Sequence, residues 1–208
     1  MSAPLVVLGA TGSIGTQTLE VASNLFLDVA VIAARTPSDQ LAAIAARYPD
    51  AEIVVAGGAG DEREDFSKKV DAPVTYGAEA LVEAAATRGR TVVNAIVGSA
   101  GLRATVAALE AGNRVALANK ESLVAAGEVV MEALAGGGGE LLPVDSEHSA
   151  LHQCLAGEDV AEVSRLVLTA SGGPFRGKTT DELAAVTPEQ ALRHPTWDMG
   201  PRITIDSA

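Results

Sequence analysis

Apolar residues recur along this chain in short unbroken runs, and the stretches between them carry apolar positions at helical spacing. Leu5-Val6-Val7-Leu8, Val29 to Ala34, Glu52 to Val55, Val74 to Tyr76, Thr91 to Ile96 and Arg114 to Ala118 read as strands. Runs without polar alternation suit strands covered on both faces, as in a parallel sheet. Ile14, Leu19, Val21 and Ala22 give the first helical face, and Thr36 can cap a second helix whose first position is Pro37. Further helices are expected over Asp61 to Val70 and Ala78 to Thr87, the latter closed by Gly89. An alanine-rich helix ends at Glu110 before Gly112, and another covers 121–135. Strands alternating with helices predict an α/β fold, a doubly wound, mostly parallel, Rossmann-like sheet.

After the tetraglycine Gly136 to Gly139, expected as a loose turn, the pattern changes, and the domain boundary is set there: 1–139 as one domain, 140–208 as a second. The second reads as strand (Glu140 to Val144), helix (Ser149 to Leu155), strand (Ser164 to Ala170), a long irregular segment (Ser171 to Pro201) and a last strand (Arg202 to Ile205). That is an α+β pattern. Long irregular segments are commonly functional lids, and this one holds the sole tryptophan, Trp197.

Composition narrows the classes. At 208 residues and 48% hydrophobic, the chain can bury a substantial core, and 3% aromatic residues suit helices on a sheet better than an aromatic-rich sandwich. A formal charge of −12 argues against a nucleic-acid partner, so a phosphorylated small molecule must be caught by a few placed donors. Met1-Ser2-Ala3-Pro4 leads straight into the first strand without a secretory pattern, and no apolar run reaches membrane-spanning length. The expectation is a cytoplasmic protein with no membrane partner. The lone Cys154 cannot form an internal disulfide and has the spacing of a small packing residue.

The chemistry begins at Gly9-Ala10-Thr11-Gly12-Ser13-Ile14-Gly15, three glycines spaced three apart between a strand and a helix start. Glycines let backbone approach a pyrophosphate, and the N–H groups at a helix N-terminus point at the anion. At the end of the second strand stand Arg35 and Thr36, where an acidic residue would select a free ribose 2′-hydroxyl; an arginine there suits a 2′-phosphate, hence NADP over NAD. Asn119-Lys120-Glu121-Ser122 follows another buried strand, as functional residues or as a helix cap with an acidic first turn. Asp145-Ser146-Glu147-His148 allows two readings. If extended, Asp145 and Glu147 project to one side and can share a Mg²⁺ or Mn²⁺ ion; alternatively they form an acidic helix N-terminus. Ser171-Gly172-Gly173 offers a hydroxyl and flexible N–H groups to an anion, and His194-Pro195-Thr196-Trp197-Asp198-Met199-Gly200 brings a histidine into the lid segment.

Taken together and in this order, these motifs resemble those of the 1-deoxy-D-xylulose 5-phosphate reductoisomerase family, nearly end to end. The resemblance implies an NADPH-dependent, divalent-metal-dependent enzyme that rearranges a sugar phosphate and reduces the resulting aldehyde to 2-C-methyl-D-erythritol 4-phosphate, in isoprenoid precursor synthesis. It implies that Thr11, Gly12, Ser13, Ile14, Ala34, Arg35, Thr36, Asn119, Glu121 and Gly200 contact NADPH. It implies substrate contacts from Lys120, Ser146, Glu147, Ser171, His194, Trp197, Met199 and Ser207, with Glu147, His194 and Lys120 catalytic and Asp145 and Glu147 holding the metal. Ala10 stands where the family often has serine, and Thr36 where asparagine is frequent. Family sequences continue past Asp206-Ser207-Ala208 into further substrate and metal ligands and a C-terminal helical domain. On that resemblance the 208 residues are expected to bind NADPH with little turnover, and the complete form to be a homodimer. Two alternatives share the glycine turn: a non-catalytic nucleotide-binding protein, and a semialdehyde or homoserine-type dehydrogenase, where Cys154 would be the test of a thiol mechanism.

Overall fold

Four consecutive residues, Leu5–Leu8, form the first strand, β1, and divide their side chains between two cores: Val6 and Leu8 enter one, Leu5 and Val7 the other. A strand buried on both faces must be apolar throughout, which is why its sequence shows no alternation. In the computed structural model, residues 2–169, 172–198 and 200–207 are described, with the backbone alone at Arg202, Ile203 and Asp206. The chain divides into two compact units, Met1–Ala156 and Gly157–Ala208.

In the first unit β1 is followed by α1 (Ser13–Asn24), β2 (Val29–Ala34), α2 (Asp39–Ala45), β3 (Glu52–Val55), α3 (Gly60–Lys69), β4 (Val74–Tyr76), α4 (Ala78–Ala86) and β5 (Thr91–Asn94). Then come α5 (Leu102–Glu110), β6 (Arg114–Leu117), α6 (Glu121–Gly137), β7 (Glu140–Pro143) and α7 (Ser146–Leu155). The seven strands form one sheet in the order β4-β3-β2-β1-β5-β6-β7, every pairing parallel. The expected doubly wound α/β sheet is present, and parallel throughout. Leu19, Leu41, Ile44 and Phe66 of α1, α2 and α3 cover one face; Leu81, Leu109 and Val130 of α4, α5 and α6 cover the other. The winding reverses between β1 and β5, which are neighbours in space, and ligands of such sheets bind outside the strand C-termini at that point.

Several local expectations are revised. In α1 the buried residues are Gly15, Leu19 and Ala22, whereas Ile14 and Val21 are exposed, because the face that meets the sheet runs i, i+4, i+7 from Gly15. α2 starts at Asp39 with Ser38 as its cap, its Oγ accepting from Leu41 N–H at 3.1 Å, so Thr36 and Pro37 belong to the preceding loop. The tetraglycine is not a loose turn. Gly136 and Gly137 are the last residues of α6, Gly137 lets its backbone pack against that of Leu109 in α5, and Gly138 ends the helix in the left-handed conformation. β7, expected to open the second domain, is hydrogen-bonded to β6 at the edge of the first unit's sheet.

The second unit contains α8 (Thr180–Leu183), α9 (Pro188–Ala191) and α10 (Pro201–Asp206), and among its described residues no strand. The strand expected over Ser164 to Ala170 is not formed at 164–169, Ala170 lying outside the described residues: Leu166, Val167 and Leu168 are each about 60% exposed and complete no ladder with another described residue. The strand expected over Arg202 to Ile205 is helical. Pro201 supplies a helix-ready φ at the first position, and the Gly200 carbonyl accepts from Thr204 N–H at 3.0 Å, which outweighs the β preference of Ile203, Thr204 and Ile205. The segment expected to be irregular holds two short helices, each started by a capping box, Thr179 with Glu182 and Thr187 with Gln190. The part of the expected α+β region from 157 to 208 is therefore helical and irregular where described.

Gly15 leaves no room for a side chain, since an added Cβ would run into the backbone of Gly9 and Ala10 rather than into a movable side chain. Gly15→Ala is expected to lower unfolding free energy by about 2 kcal/mol or more. Gly136→Ala, which meets nothing, should be neutral or raise it by a few tenths; urea denaturation of both variants checks the contrast.

Candidate functional site

In an all-parallel sheet every strand ends at the same edge, so the loops after β1, β2, β5, β6 and β7 share one rim. The glycine turn occupies its centre. Gly9 has φ +85 and an added Cβ there would lie 2.6 Å from the Ala95 carbonyl oxygen, so β1 and β5 approach at their ends as closely as backbone permits. Gly9 and Ala10 N–H both donate to the Ala33 carbonyl at 2.9 Å, and Gln40 Nε2 donates to the Thr11 carbonyl at 3.1 Å. The turn is thereby pinned to β2 and α2. Gly12 caps α1 with no side-chain hydrogen bond, leaving that helix N-terminus without a built-in acceptor. Gly12, Ser13 and Ile14 are exposed and Thr11 half-buried around it. Of the three glycines, Gly9 and Gly15 serve packing; Gly12 faces the opening.

At the end of β2, Ala34 is buried while Arg35 and Thr36 are exposed. Arg35 donates nothing to a carboxylate among the described residues, and its backbone carbonyl accepts from Gly57 N–H at 2.7 Å. A guanidinium with no internal ion-pair partner beside the glycine turn is available to an external anion.

The loop after β6 is organised by Asn119, which is 2% exposed. Its Nδ2 donates to the carbonyls of Ile96 and Gly98, the latter at 2.7 Å, and its Oδ1 accepts from Ser122 N–H at 2.9 Å and Ser122 Oγ at 2.5 Å. The amide's donors are both engaged within the protein, so Asn119 positions the rim. Lys120 and Glu121 follow at the start of α6, Lys120 exposed and Glu121 half-buried.

After β7 the chain does not stay extended. Asp145 caps α7, accepting from His148 N–H at 3.2 Å, and Glu147 lies in the first helical turn. The helix-terminus alternative is the one adopted, starting three residues earlier than the expected Ser149. Asp145 is 12% exposed, with Lys120 Nζ 3.1 Å from one carboxylate oxygen and His148 Nδ1 2.7 Å from the other. Burial alone would raise the Asp145 carboxyl; the hydrogen bonds from the His148 backbone and ring and from Lys120 outweigh it and hold it well below the ordinary carboxylate range. The same bond to Asp145 raises the Lys120 ammonium. Glu147 accepts from Ser146 Oγ at 2.6 Å. Among the described residues no group of three or more His, Cys, Asp or Glu is placed to hold a metal. Two carboxylates from one helical turn nonetheless fit a hard cation that keeps several waters, Mg²⁺ or Mn²⁺, better than a soft one.

In the second unit His194 Nδ1 accepts from Thr196 N–H at 3.1 Å and Trp197 N–H at 2.9 Å, so the histidine folds its own loop. Trp197 is 61% exposed and Gly200 precedes α10. Ser207 is partly buried; Ser171 and Met199 lie outside the described residues. Cys154, expected to pack, is exposed, because α7 buries none of its residues. Asn94, Gly101 and Thr105 were not singled out from sequence, although an asparagine ending the run Thr91-Val92-Val93 is a polar residue in a fully buried strand, and that signal was available.

Residues 5–127 match the family 1-deoxy-D-xylulose 5-phosphate reductoisomerase, and residues 141–208 match the 1-deoxy-D-xylulose 5-phosphate reductoisomerase C-terminal domain. The chain belongs to the 1-deoxy-D-xylulose 5-phosphate reductoisomerase family. It is 48% identical to the reductoisomerase of a Geobacillus species (strain WCH70) over 207 residues, covering 97% of this chain and 54% of the relative. With that of Heliobacterium modesticaldum it shares 49% over 210 residues, again 54% of the relative. A solved reductoisomerase from Zymomonas mobilis in complex with NADPH superimposes with a TM-score of 0.88 at 42% identity, covering all of this chain and 54% of that one. A reductoisomerase in complex with NADPH, fosmidomycin and magnesium does so with a TM-score of 0.83 at 36% identity, with the same coverage. The chain thus spans about half the length of the reductoisomerases it matches. Membership in this family sets aside the semialdehyde and homoserine dehydrogenase alternatives.

The Asp145 cluster makes a pH-dependent contribution with a defined sign. Because the folded-state carboxyl is held below its unfolded value, its stabilisation is complete above the ordinary carboxylate range, about pH 4, and is lost as pH falls below it. Asp145→Asn keeps a competent cap but removes the charge. In metal-free buffer it should be less stable than the parent at pH 7 by about 1–2 kcal/mol, a gap that closes on acidification; urea midpoints measured from neutral to acid pH check it.

Proposed function

We propose that this chain carries the cofactor- and cation-binding parts of a 1-deoxy-D-xylulose 5-phosphate reductoisomerase, which converts that substrate to 2-C-methyl-D-erythritol 4-phosphate in isoprenoid precursor synthesis. The observation that carries the proposal is the common rim: a glycine-turn helix with no side-chain cap, an Arg35 that makes no ion pair among the described residues and the Lys120–Asp145 pair all follow strands of one parallel sheet. Family relatives in complex with NADPH and magnesium support the choice of ligands. Residues 1–139 act as the cofactor half and 140–208 as the cation and substrate half. The C-terminal-domain match over 141–208 supports that division, although β7 is built into the sheet.

In this reading the exposed backbone of Thr11 to Ile14 receives the pyrophosphate, and Arg35 with Thr36 beside Ala34 receives the 2′-phosphate. Asn119, Glu121 and Gly200 complete the cofactor's surroundings. Asp145 and Glu147 hold Mg²⁺ or Mn²⁺. Lys120 and Ser146 orient the sugar phosphate, together with Glu147, Ser171, His194 and Ser207, while Trp197 and Met199 exclude water over it. When bound, NADPH is the reductant and the cation a Lewis acid for the substrate's ketone and hydroxyl oxygens. The protein's own task is placement, since a bound geometry close to the reacting one supplies much of the rate. No helix among the described residues is long and apolar enough to cross a membrane, in keeping with a cytoplasmic enzyme; a homodimer is the assembly proposed for the complete form.

Calorimetric titration of the protein with NADPH and then Mn²⁺ tests the reading, and heat from neither would refute it. Glu147→Gln should weaken Mn²⁺ and spare NADPH. Arg35→Ala should weaken NADPH by about tenfold or more while changing NADH little, and equal losses for the two would remove the reason for an NADP preference.

A further inference from the structure

Beneath the rim, on the far side of β1 from Arg35, lies a buried network of four polar side chains. Asn94 closes β5, Thr105 lies in α5, Asn119 follows β6 and Ser122 lies in α6; Asn94, Thr105 and Ser122 are fully buried. Asn94 Nδ2 donates to the Gly101 carbonyl at 2.9 Å and to Thr105 Oγ1 at 2.8 Å, while its Oδ1 accepts from Ile96 N–H at 3.2 Å. Thr105 Oγ1 donates in turn to the Gly101 carbonyl at 3.2 Å. Asn119 holds the other end of the same loop through Ile96 and Gly98, and its own N–H donates to the Asn94 carbonyl at 3.1 Å. Gly101 is enclosed by both amides, with 2.9 Å between a would-be Cβ and each. Within the loop, Ile96, Gly98 and Gly101 are thus anchored from below.

The network also fixes what Lys120 and Glu121 stand on. α6 is interrupted at Ala126, whose backbone is non-helical, so its first turn is not held in line by the rest of the helix. The anchor for that turn is the pair of bonds from Ser122 to Asn119. Buried networks of this kind are costly when half-satisfied, so removing one member should shift the loop rather than leave it in place.

A dinucleotide laid across the point between β1 and β5 puts its adenosine over β2 and its other half over β5 and β6. We infer that Asn94 and Thr105 are positioning residues for the nicotinamide half of the cofactor, acting through the 96–101 loop and the first turn of α6 without touching the ligand. The inference rests on the NADPH reading above and adds to it which buried groups shape one half of the cleft.

The test compares two ligands of the whole 208-residue chain by calorimetry: NADPH, and adenosine 2′,5′-bisphosphate, which has the 2′-phosphate but no nicotinamide. Thr105→Val keeps the shape and deletes the hydroxyl; it should raise the NADPH Kd about tenfold and change that of the bisphosphate less than about twofold. Thr105→Ser should restore NADPH binding. Equal weakening of both ligands, unchanged NADPH binding, or no rescue by serine would overturn the inference. Should the valine variant fail to fold, Ser122→Ala decides, with the same split expected and an unchanged NADPH affinity counting against. A parent protein that binds neither ligand would instead sink the NADPH reading itself.

Discussion

Parallel pairing of β1 with β2 on one side and β5 on the other is the constraint from which the rest of the first unit follows. A central strand with parallel neighbours on both sides has both faces covered by crossover helices, so all four of its residues are apolar and buried. The same pairing sends every C-terminal strand end to one edge. It also brings the turn after β1 against the start of the loop after β5, and only glycine at position 9 lets the two backbones meet there. The site is therefore a by-product of how the sheet is wound: a place where backbone is closely crowded is the place where a helix N-terminus opens to solvent.

Electrostatics acts on that frame locally. A chain of net charge −12 repels anions over most of its surface, and its attraction for a phosphorylated ligand comes from few groups. Among the described residues the Arg35 guanidinium makes no ion pair, whereas Lys120 is engaged by Asp145, a carboxylate that caps a helix and is bonded to His148. One cation is thus exposed for binding, and the other belongs to a compact charged cluster whose members constrain one another.

Buried polar groups do the remaining work of shaping the rim. Asn119 drew attention in the sequence because it precedes Lys120, yet its side chain is spent on Ile96, Gly98 and Ser122. Asn113 plays a comparable part at the opposite end of the sheet, donating to the carbonyls of Ala85 and Thr87 and accepting from Arg90 N–H at 3.0 Å. Asparagines with all their donors satisfied by backbone carbonyls lock one loop to another, and a position scan of apolar runs treats them only as interruptions.

The sequence by itself determined six strands of the sheet: their apolar runs of strand length, the glycine turn after the first, and the helices between them are local matters of periodicity and turn chemistry, whereas the seventh, β7, was expected in a second domain and joins the same sheet. It also marked the rim, since residues that follow parallel strands must lie at one edge. What only the tertiary structure decided was contact. Whether Asp145 and Glu147 continue a strand or begin a helix turned on a cap to His148 and an ion pair with Lys120, twenty-five residues away. In the second unit, residues 164–169 have the composition of a strand but pair with none of the described residues in a ladder, and the last expected strand coils because Pro201 and Gly200 start a helix. Strand propensity is a preference for a pleated, paired surface, so without the pairing it decides nothing.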